Sequence, residues 1–320
     1  MTAFQLHGPP LLSRSTIHRP EPLFEDTDAR AKLWPDGRLL LVDQAGCVPV
    51  RAAGTKLVYQ RAGDYAETIP VGAVLLGEQD GAGYWALRHT RDGSDERPTW
   101  RVWDGPEPTE DEQWLDLRAV GGLLDDTDAG VFTSAQAVLN WYRIGAFCAK
   151  CGSPVEYIRA GWASHCTGCG REEYPRTDPA VICLVHDGEG ENGSHVLLAR
   201  QPSWPRNRYS VLAGFVEAGE SLEDCVEREI GEEVGLAVRD VRYLGNQPWP
   251  FPRSLMIGFT AIADRSAPLL LADGEIAEAK WVSRERVQAA LAEGGAADGF
   301  GLPGGVSIAR HMVEAWAQAE

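Results

Sequence analysis

The length and composition of the chain are those of a folded protein with a buried core. Its 320 residues are enough for two domains, and 44% of them are hydrophobic against 24% charged, which excludes disorder as the default state. The 47 acidic and 30 basic residues give a net charge of -17, which repels polyphosphates and nucleic acid unless a basic patch or bound cations intervene. A phosphate-containing substrate would therefore need a metal ion.

The first residues lack the pattern of a targeting segment. The stretch from Met1 to Leu12 has neither a basic start nor a sustained apolar run. No window of the sequence approaches the roughly 20 apolar residues of a membrane-spanning helix. We therefore predict a soluble cytoplasmic protein that does not bind membranes.

Residues 1–145 are predicted to form a β-rich N-terminal domain. Short runs of strand-forming residues alternate there with clusters of Gly, Pro and Asp, as at residues 38–42, 71–76 and 84–87. No catalytic combination of side chains stands out in this part. A helix is predicted over residues 133–147 from its apolar spacing, and it leads into the next segment.

Four of the seven cysteines lie in two Cys-x2-Cys pairs separated by fourteen residues, namely Cys148, Cys151, Cys166 and Cys169. This spacing is typical of two tight turns that together bind one tetrahedral zinc ion. Because four thiolates leave no open coordination position, the zinc is predicted to be structural, in a ribbon over residues 146–175. His165 is interpreted as a surface histidine. The separate Cys47, Cys183 and Cys225 are interpreted as small buried hydrophobic residues.

From residue 176 to residue 320 the pattern changes to buried strands that alternate with helices. This alternation predicts an α/β (α+β) domain in which helices sandwich a mixed sheet. The strands are expected at residues 180–185, 196–198, 241–244 and 255–263, and the helices from residue 221 and at residues 284–293 and 306–318. Residues 292–301 are expected to form a surface loop.

The helix that begins near Ser221 carries three closely spaced carboxylates. Glu229, Glu232 and Glu233 stand at positions i, i+3 and i+4, which places them on one face of the helix. Like charges so close together destabilise a helix, and a divalent cation would relieve the repulsion. Carboxylate oxygens favour Mg²⁺ or Mn²⁺.

The run from Gly214 to Leu236 resembles the sequence box of the Nudix hydrolases, because every fixed position of that box is filled. The resemblance implies an α/β/α sandwich and metal-assisted attack of water on one phosphorus of a pyrophosphate. Glu229 and Glu233 would bind the metal, and Glu232 would be either a third ligand or the acceptor of the water's proton. The structural supports of the box would be Gly214, the pair Glu220 and Arg228, and Gly235, which ends the helix.

A second motif, Asn246-Gln-Pro-Trp-Pro-Phe-Pro-Arg-Ser254, is similar to the motif of the NADH pyrophosphatase subfamily of Nudix enzymes. Asn246 departs from that motif, in which Ser is common. Three alternating prolines predict an extended segment in which Gln247, Trp249 and Phe251 face the same way. Such a wall suits a flat ring that carries an amide.

The resemblance also implies which residues bind the substrate and complete the metal site. The substrate contacts would be Tyr174, Phe215, Gln247, Pro248, Trp249, Pro250, Phe251, Pro252, Arg253, Ser254 and Ala309. Tyr174 and Phe215 would stack on the nicotinamide ring. The additional metal ligands would be Glu275, with Glu278 as the nearby alternative, and the backbone carbonyl of Ala213.

Members of this subfamily are similar in being homodimers that split NADH or NAD⁺ into NMN(H) and AMP. Some of them also remove the NAD cap from RNA 5′ ends. One alternative is a Nudix pyrophosphatase for ADP-ribose or another dinucleotide. An alternative of a different class is a zinc-ribbon binding module with an inactive Nudix scaffold, against which the three intact glutamates Glu229, Glu232 and Glu233 argue.

Overall fold

The computed structural model describes residues 3–89, 111–190, 192–271, 274–297 and 299–319. The chain divides into two compact units. The ribbon unit comprises Arg14–Thr177 together with Trp249–Arg253, and the sandwich unit comprises Met1–Ser13, Asp178–Pro248 and Ser254–Glu320.

The ribbon unit contains ten strands and five α-helices within the described residues. The helices are α1 (Glu21–Glu25), α2 (Thr27–Leu33), α3 (Ala62–Tyr65), α4 (Leu117–Val120) and α5 (Asp126–Ile144). The strands are β1 (Arg38–Val42), β2 (Val48–Arg51), β3 (Lys56–Leu57), β4 (Gln60–Arg61), β5 (Val74–Gln79), β6 (Ala82–Arg88), β7 (Gln113–Leu115), β8 (Val155–Ile158), β9 (Ala163–Cys166) and β10 (Glu172–Glu173).

Three small sheets organise this unit. The largest has the order β4-β1-β6-β5, in which β1 and β6 are parallel and the other pairs are antiparallel. A second sheet has the order β3-β2-β7, and the ribbon itself is the antiparallel sheet β10-β9-β8. Buried Trp34 and Trp85 meet edge to face at 5.1 Å in the core beside the largest sheet.

Helix α5 begins earlier than its apolar spacing predicts, at Asp126 rather than near residue 133. The side chain of Asp125 accepts a hydrogen bond from the N–H of Asp128 at 2.8 Å, which is the geometry of a helix N-cap. Its buried residues include Phe132, Val138 and Leu139. The helix is therefore held along its length by the core of the ribbon unit.

The sandwich unit contains eight strands and three α-helices within the described residues. The strands are β11 (Asp178–His186), β12 (His195–Arg200), β13 (Leu212–Phe215), β14 (Val238–Trp249), β15 (Ser254–Ala263), β16 (Glu278–Ser283), β17 (Ala296–Ala297) and β18 (Phe300–Gly301). The helices are α6 (Leu222–Val234), α7 (Arg284–Ala292) and α8 (Ile308–Gln318).

A six-stranded mixed sheet forms the middle layer of this unit. Its order is β14-β15-β11-β12-β16, with β13 paired to β11, and β11 runs parallel to β15 but antiparallel to β12 and β13. Side chains alternate across β11: Ile182 and Leu184 pack with α7 and α8, whereas Val181, Cys183 and Val185 pack with α6. Helices therefore cover both faces, and the predicted α/β/α sandwich is confirmed.

None of the helices in the described parts of the chain is long and apolar enough to cross a membrane. A short pair, β17 and β18, occupies part of the predicted loop at residues 292–301.

The imidazole of His186, at the end of β11, is 1% exposed. Its Nδ1 accepts a hydrogen bond from the N–H of Gly188 at 3.2 Å, which requires a neutral ring nitrogen. Burial lowers the pKa of His186 to about 4; Asp187 opposes this shift, whereas three arginines strengthen it, namely Arg242, Arg284 and Arg239. A histidine with a lowered pKa in the folded protein binds its proton more readily in the unfolded chain, so protonation favours unfolding. The free energy of unfolding is therefore unaffected by His186 above the ordinary histidine pKa of about 6.5, and it falls as the pH drops towards 4.

We expect the change His186→Gln to reduce the acid sensitivity of folding, because glutamine keeps an acceptor for Gly188 but cannot be protonated. Between pH 7 and pH 5 the free energy of unfolding should fall by about 2 kcal/mol less in this variant than in the wild type. Urea unfolding at the two pH values measures this difference. His7→Gln, at an exposed position, is the matched control. An equal fall in wild type and His186→Gln would contradict the prediction.

Candidate functional site

Helix α6 begins and ends at the residues that the sequence predicts. The Ser221 side chain accepts a hydrogen bond from the N–H of Asp224 at 3.1 Å. Gly235 has a left-handed φ of 73° and donates its N–H to the carbonyl of Gly231. Buried Val226 on this helix packs in the core beside the sheet. These contacts fix the rotation of the helix about its axis.

Glu229 lies directly against the backbone of strand β13. A Cβ atom placed on Gly214 would be 1.8 Å from Cδ of Glu229 and 2.1 Å from each carboxylate oxygen. Only glycine leaves room for the carboxylate here, which gives a physical reason for the first glycine of the box. Arg228 donates to Oε1 of Glu229 at 3.0 Å, and burial raises the pKa of Glu229.

We expect Gly214→Ala to displace the Glu229 carboxylate and to lower kcat for pyrophosphate hydrolysis by roughly one to two orders of magnitude. Steady-state kinetics with Mn²⁺ measures the loss. Gly231→Ala is the matched control, because a Cβ there meets nothing within 4 Å and alanine favours the helix. Full activity of Gly214→Ala would show that the close approach is not needed.

Glu233 is 7% exposed and lies one helical turn after Glu229. Oε2 of Glu233 is buried without a hydrogen-bond partner among the described residues. Burial, with added repulsion from Glu229 and Glu275, raises the pKa of Glu233 to about 8. A buried carboxylate oxygen without a donor fits a cation, because a bound divalent ion would favour the ionised form of Glu233. The site therefore accommodates a divalent metal ion.

Ala213, whose carbonyl is predicted to bind the metal, lies on β13 directly before Gly214. Its partner in the antiparallel pair with β11 is Ile182.

Arg228 connects the loop of the box to the helix. Its Nε and Nη2 donate to the two carboxylate oxygens of Glu220 at 2.7 and 2.9 Å, and Nη2 also donates to the carbonyl of Phe215 at 3.0 Å. This bidentate contact lowers the pKa of Glu220 to about 2. The predicted Glu220–Arg228 pair is therefore present.

The structure separates Glu232 from the other two carboxylates of the helix. The Glu232 side chain is 60% exposed and accepts from Arg228 Nη1 at 3.0 Å. Consecutive residues of an α-helix are about 100° apart, so Glu232 and its neighbour Glu233 cannot both face β13. Glu229 is half-buried and Glu233 is buried, whereas Glu232 is the exposed carboxylate of the three.

Of the two further acidic candidates, Glu275 is the one that interacts with Glu233. Glu275 is exposed in a turn, and its charge contributes to the raised pKa of Glu233. Glu278 lies on β16, where the Tyr209 hydroxyl and Lys280 lower the pKa of Glu278, and Lys280 Nζ lies at 3.3 Å from its carboxylate. The Glu278 carboxylate is thus already engaged.

Among the predicted substrate residues of the sandwich unit, some are exposed and others are buried. Phe215, at the end of β13, is 59% exposed. Gln247 is fully buried, and its amide donates to the carbonyl of Val306 at 3.0 Å. Ala309 packs with its methyl group in the core beside α7, so only its backbone is left for a ligand. Pro248 and Ser254 are half-buried.

The remaining predicted substrate residues belong to the ribbon unit. Tyr174 is 57% exposed, and its hydroxyl donates to Glu172 at 3.3 Å. The prediction that the proline-rich motif is extended throughout is wrong beyond Trp249. The N–H of Phe251 donates to the carbonyl of Trp249 at 2.7 Å, which closes a turn over residues 249–253. The rings of Trp249 and Phe251 meet edge to face at 4.9 Å.

Sequence reasoning did not find Asn140, which hydrogen-bonds this turn. Its side-chain amide donates to the carbonyls of Pro250 and Pro252. Asn140 stands more than one hundred residues before the turn, and no motif marks it. Only the folded chain brings it to the motif.

The four cysteines of the ribbon form a compact cluster in which the Sγ atoms all lie within 4.8 Å of one another. In each pair, the N–H of the following glycine donates to the carbonyl of the first cysteine, at 2.9 Å from Gly152 and 3.0 Å from Gly170. These glycines have φ of 74° and 72°, a conformation that other residues rarely adopt. Backbone N–H groups lower the pKa of Cys148. The cluster fits one structural zinc ion with four thiolate ligands.

Three parts of the chain match known protein families. Residues 176–299 match the family described as the NUDIX domain, and residues 146–174 match the NADH pyrophosphatase zinc ribbon domain. Residues 15–141 match the NADH pyrophosphatase-like rudimentary NUDIX domain. The fold is thus that of a Nudix hydrolase.

Similar proteins include the NAD-capped RNA hydrolase NudC of Mycobacterium bovis, which is 46% identical over 99% of this chain and 97% of its own. The protein of that name from Pseudomonas putida is 38% identical over 63% of this chain and 66% of its own. A NUDIX hydrolase structure from Nitrosomonas europaea covers 44% of this chain and 79% of its own, with 21% identity and a TM-score of 0.37. The chain belongs to the family of zinc-ribbon-containing NADH pyrophosphatases, which use Mg²⁺ or Mn²⁺ for catalysis and one structural zinc ion.

Proposed function

We propose that this protein hydrolyses the pyrophosphate bond of NADH and NAD⁺ to NMN(H) and AMP, and that it removes the NAD cap from RNA 5′ ends. The observation that carries the proposal concerns two carboxylates of α6. Half-buried Glu229 lies against Gly214 of β13, and buried Glu233, one turn later, has an oxygen without a hydrogen-bond partner among the described residues. The identity of 46% between this chain and an NAD-capped RNA hydrolase, over nearly the whole length of both, supports the assignment of the substrate. The net charge of -17 makes tight RNA binding outside the capped end unfavourable.

The chemistry is divided among the carboxylates of the box and Glu275. Glu229, Glu233 and Glu275 would hold Mg²⁺ or Mn²⁺, with the carbonyl of Ala213 as a neutral ligand. When bound, the ion neutralises charge on the non-bridging oxygens of the pyrophosphate. Glu232, with 60% of its side chain exposed, accepts the proton of the attacking water. Arg228 orients Glu232 and Glu229 through its hydrogen bonds to both.

Aromatic residues provide recognition of the flat ring. Tyr174 and Phe215 are exposed and free of ring contacts that would compete with stacking among the described residues, and Trp249 and Phe251 present a second aromatic pair. Buried Gln247 fixes the start of the motif through its bond to Val306. The other contacts of the motif are assigned to Pro248, Pro250, Pro252, Arg253 and Ser254, and one further contact to the backbone of Ala309.

Three further parts of the proposal rest on the resemblance to the family. The protein forms a homodimer, acts in the cytoplasm, and has domain boundaries near residues 145 and 175. Light scattering after size-exclusion chromatography tests the dimer. Limited proteolysis tests the boundaries.

Substrate comparison tests the function directly. With Mn²⁺, kcat/KM should be higher for NADH or NAD⁺ than for ADP-ribose or diadenosine polyphosphates. Hydrolysis in isotopically labelled water identifies the bond that is cleaved and the phosphorus that is attacked. A preference for ADP-ribose would replace the substrate assignment, and a lack of cleavage of every dinucleotide would favour a binding module.

A further inference from the structure

A single side chain of α5 holds the turn of the proline-rich motif. The side-chain nitrogen of Asn140 donates to the carbonyl of Pro250 at 3.0 Å and to that of Pro252 at 3.2 Å. An asparagine amide has two N–H groups, which is enough to donate to both carbonyls. Pro250 is buried, so loss of the donor would leave a buried carbonyl without this partner.

The orientation of this amide is itself fixed. Gln136, one helical turn earlier on α5, is 6% exposed and donates to Oδ1 of Asn140 at 3.2 Å. This bond determines which end of the Asn140 amide is the acceptor, so its N–H groups point at the turn. Since α5 packs in the core of the ribbon unit, Asn140 is attached to a rigid element.

A second contact holds the aromatic side chain at the tip of the turn. The guanidinium carbon of Arg118, on α4, lies 3.7 Å from the centre of the Phe251 ring. This is a cation–π contact, and Phe251 in turn meets Trp249 edge to face. Arg118 therefore restrains both rings of the motif.

Two residues of the turn lack a backbone donor, because Pro250 and Pro252 have no N–H. The bond from Phe251 to the carbonyl of Trp249 spans three residues only. Asn140 and Arg118 therefore add restraints that the two prolines cannot supply.

We propose that Asn140 and Arg118 are positioning residues for substrate recognition, and that the N-terminal part of the chain serves to hold the Trp249–Phe251 pair in the orientation that binds the dinucleotide. This inference rests on the proposed function, because it takes the motif as the part that contacts NAD(H). It assigns a role to Arg118 and Asn140, which lie within the match to the rudimentary NUDIX domain. Neither residue touches the reacting atoms.

The principal test is Asn140→Asp in the full-length, zinc-loaded protein with Mn²⁺. Aspartate has the same shape but no N–H, and its charge would face two carbonyl oxygens. We expect KM for NADH to rise about tenfold while kcat changes less than about twofold, since the lost restraint weakens binding and leaves the carboxylates of α6 unchanged.

Two comparisons separate positioning from loss of stability. Thr133→Val removes a buried hydrogen bond on the same helix, from the hydroxyl to the carbonyl of Ala129, and should lower stability without changing KM. Arg118 is exposed, so Arg118→Met should fold normally and raise KM about threefold, whereas Arg118→Lys keeps the cation and should keep KM near the wild-type value.

The outcomes distinguish the inference from the function on which it rests. If the wild type hydrolyses NADH but Asn140→Asp and Arg118→Met both keep its KM, the positioning role is wrong and the proposed function stands. A fall in kcat at unchanged KM would likewise overturn it. If the wild type does not hydrolyse NADH, both proposals fail together.

Discussion

Replacing Glu233 by glutamine is expected to lower kcat/KM for NADH by roughly a thousandfold or more, because it removes a charged metal ligand and leaves a neutral amide in its place. The buried Oε2 of Glu233 has no hydrogen-bond partner among the described residues, so no protein group compensates for the lost cation contact. The same change removes the repulsion with Glu229 and Glu275. In the absence of Mn²⁺ or Mg²⁺, we therefore expect the Glu233→Gln variant to be at least as stable as the wild type.

The matched control is Glu227→Gln, on the same helix at an exposed position. It changes the net charge by the same amount and should keep normal kinetics. Steady-state rates over a range of Mn²⁺ concentrations, together with thermal unfolding with and without Mn²⁺, measure both effects. If Glu233→Gln were as active as Glu227→Gln, the buried carboxylate would have no part in catalysis.

Replacing Cys148 by serine is expected to lower zinc content and to reduce the free energy of unfolding by on the order of 4 kcal/mol. Cys148 is 4% exposed, and its Sγ lies 3.7 Å from that of Cys169 within the cluster. Serine does not provide the thiolate that zinc favours. The carboxylates of α6 are not ribbon residues, so the fraction that stays folded should keep its kcat.

Cys47→Ser is the control, since this half-buried cysteine lies outside the ribbon. Metal analysis of the purified variants gives the zinc stoichiometry, and urea unfolding gives the stability. One zinc ion per chain and unchanged stability in Cys148→Ser would contradict the assignment of the ribbon. A loss of kcat per folded molecule would contradict the purely structural role of the zinc.

The parts of the site that the sequence predicts well are those fixed by local rules. The N-cap at Ser221 and the left-handed Gly235 follow from residue preferences at helix ends, and both are present. The four cysteines are likewise predictable, because a metal ion imposes its spacing on the chain. The pairing of Glu220 with Arg228 follows from the known box rather than from local preference.

Other features depend on tertiary packing and were beyond sequence reasoning. The spacing i, i+3, i+4 places Glu232 on the same helix face as Glu229 and Glu233. The sheet, however, covers only part of the helix surface, and Glu232 is left exposed. Three alternating prolines indicate an extended segment, yet the chain turns after Trp249 because Phe251 and Asn140 satisfy its carbonyls. The burial of Gln247 depends on Val306, more than fifty residues away.

The turn at residues 249–253 also bears on how this chain can be divided. The backbone passes from one compact unit to the other at four places, after Ser13, Thr177, Pro248 and Arg253. A fragment that starts at residue 176 would keep the proline-rich motif but lose α5 and, with it, the amide of Asn140. It would also lack the N-terminal segment, in which the N–H of Phe4 donates to Oδ1 of Asn192 at 2.8 Å. Neither unit can be separated from the chain by a single cut. Expression of an isolated hydrolase domain would therefore yield a protein that keeps its carboxylates in place but lacks the contacts that hold the turn of the proline-rich motif.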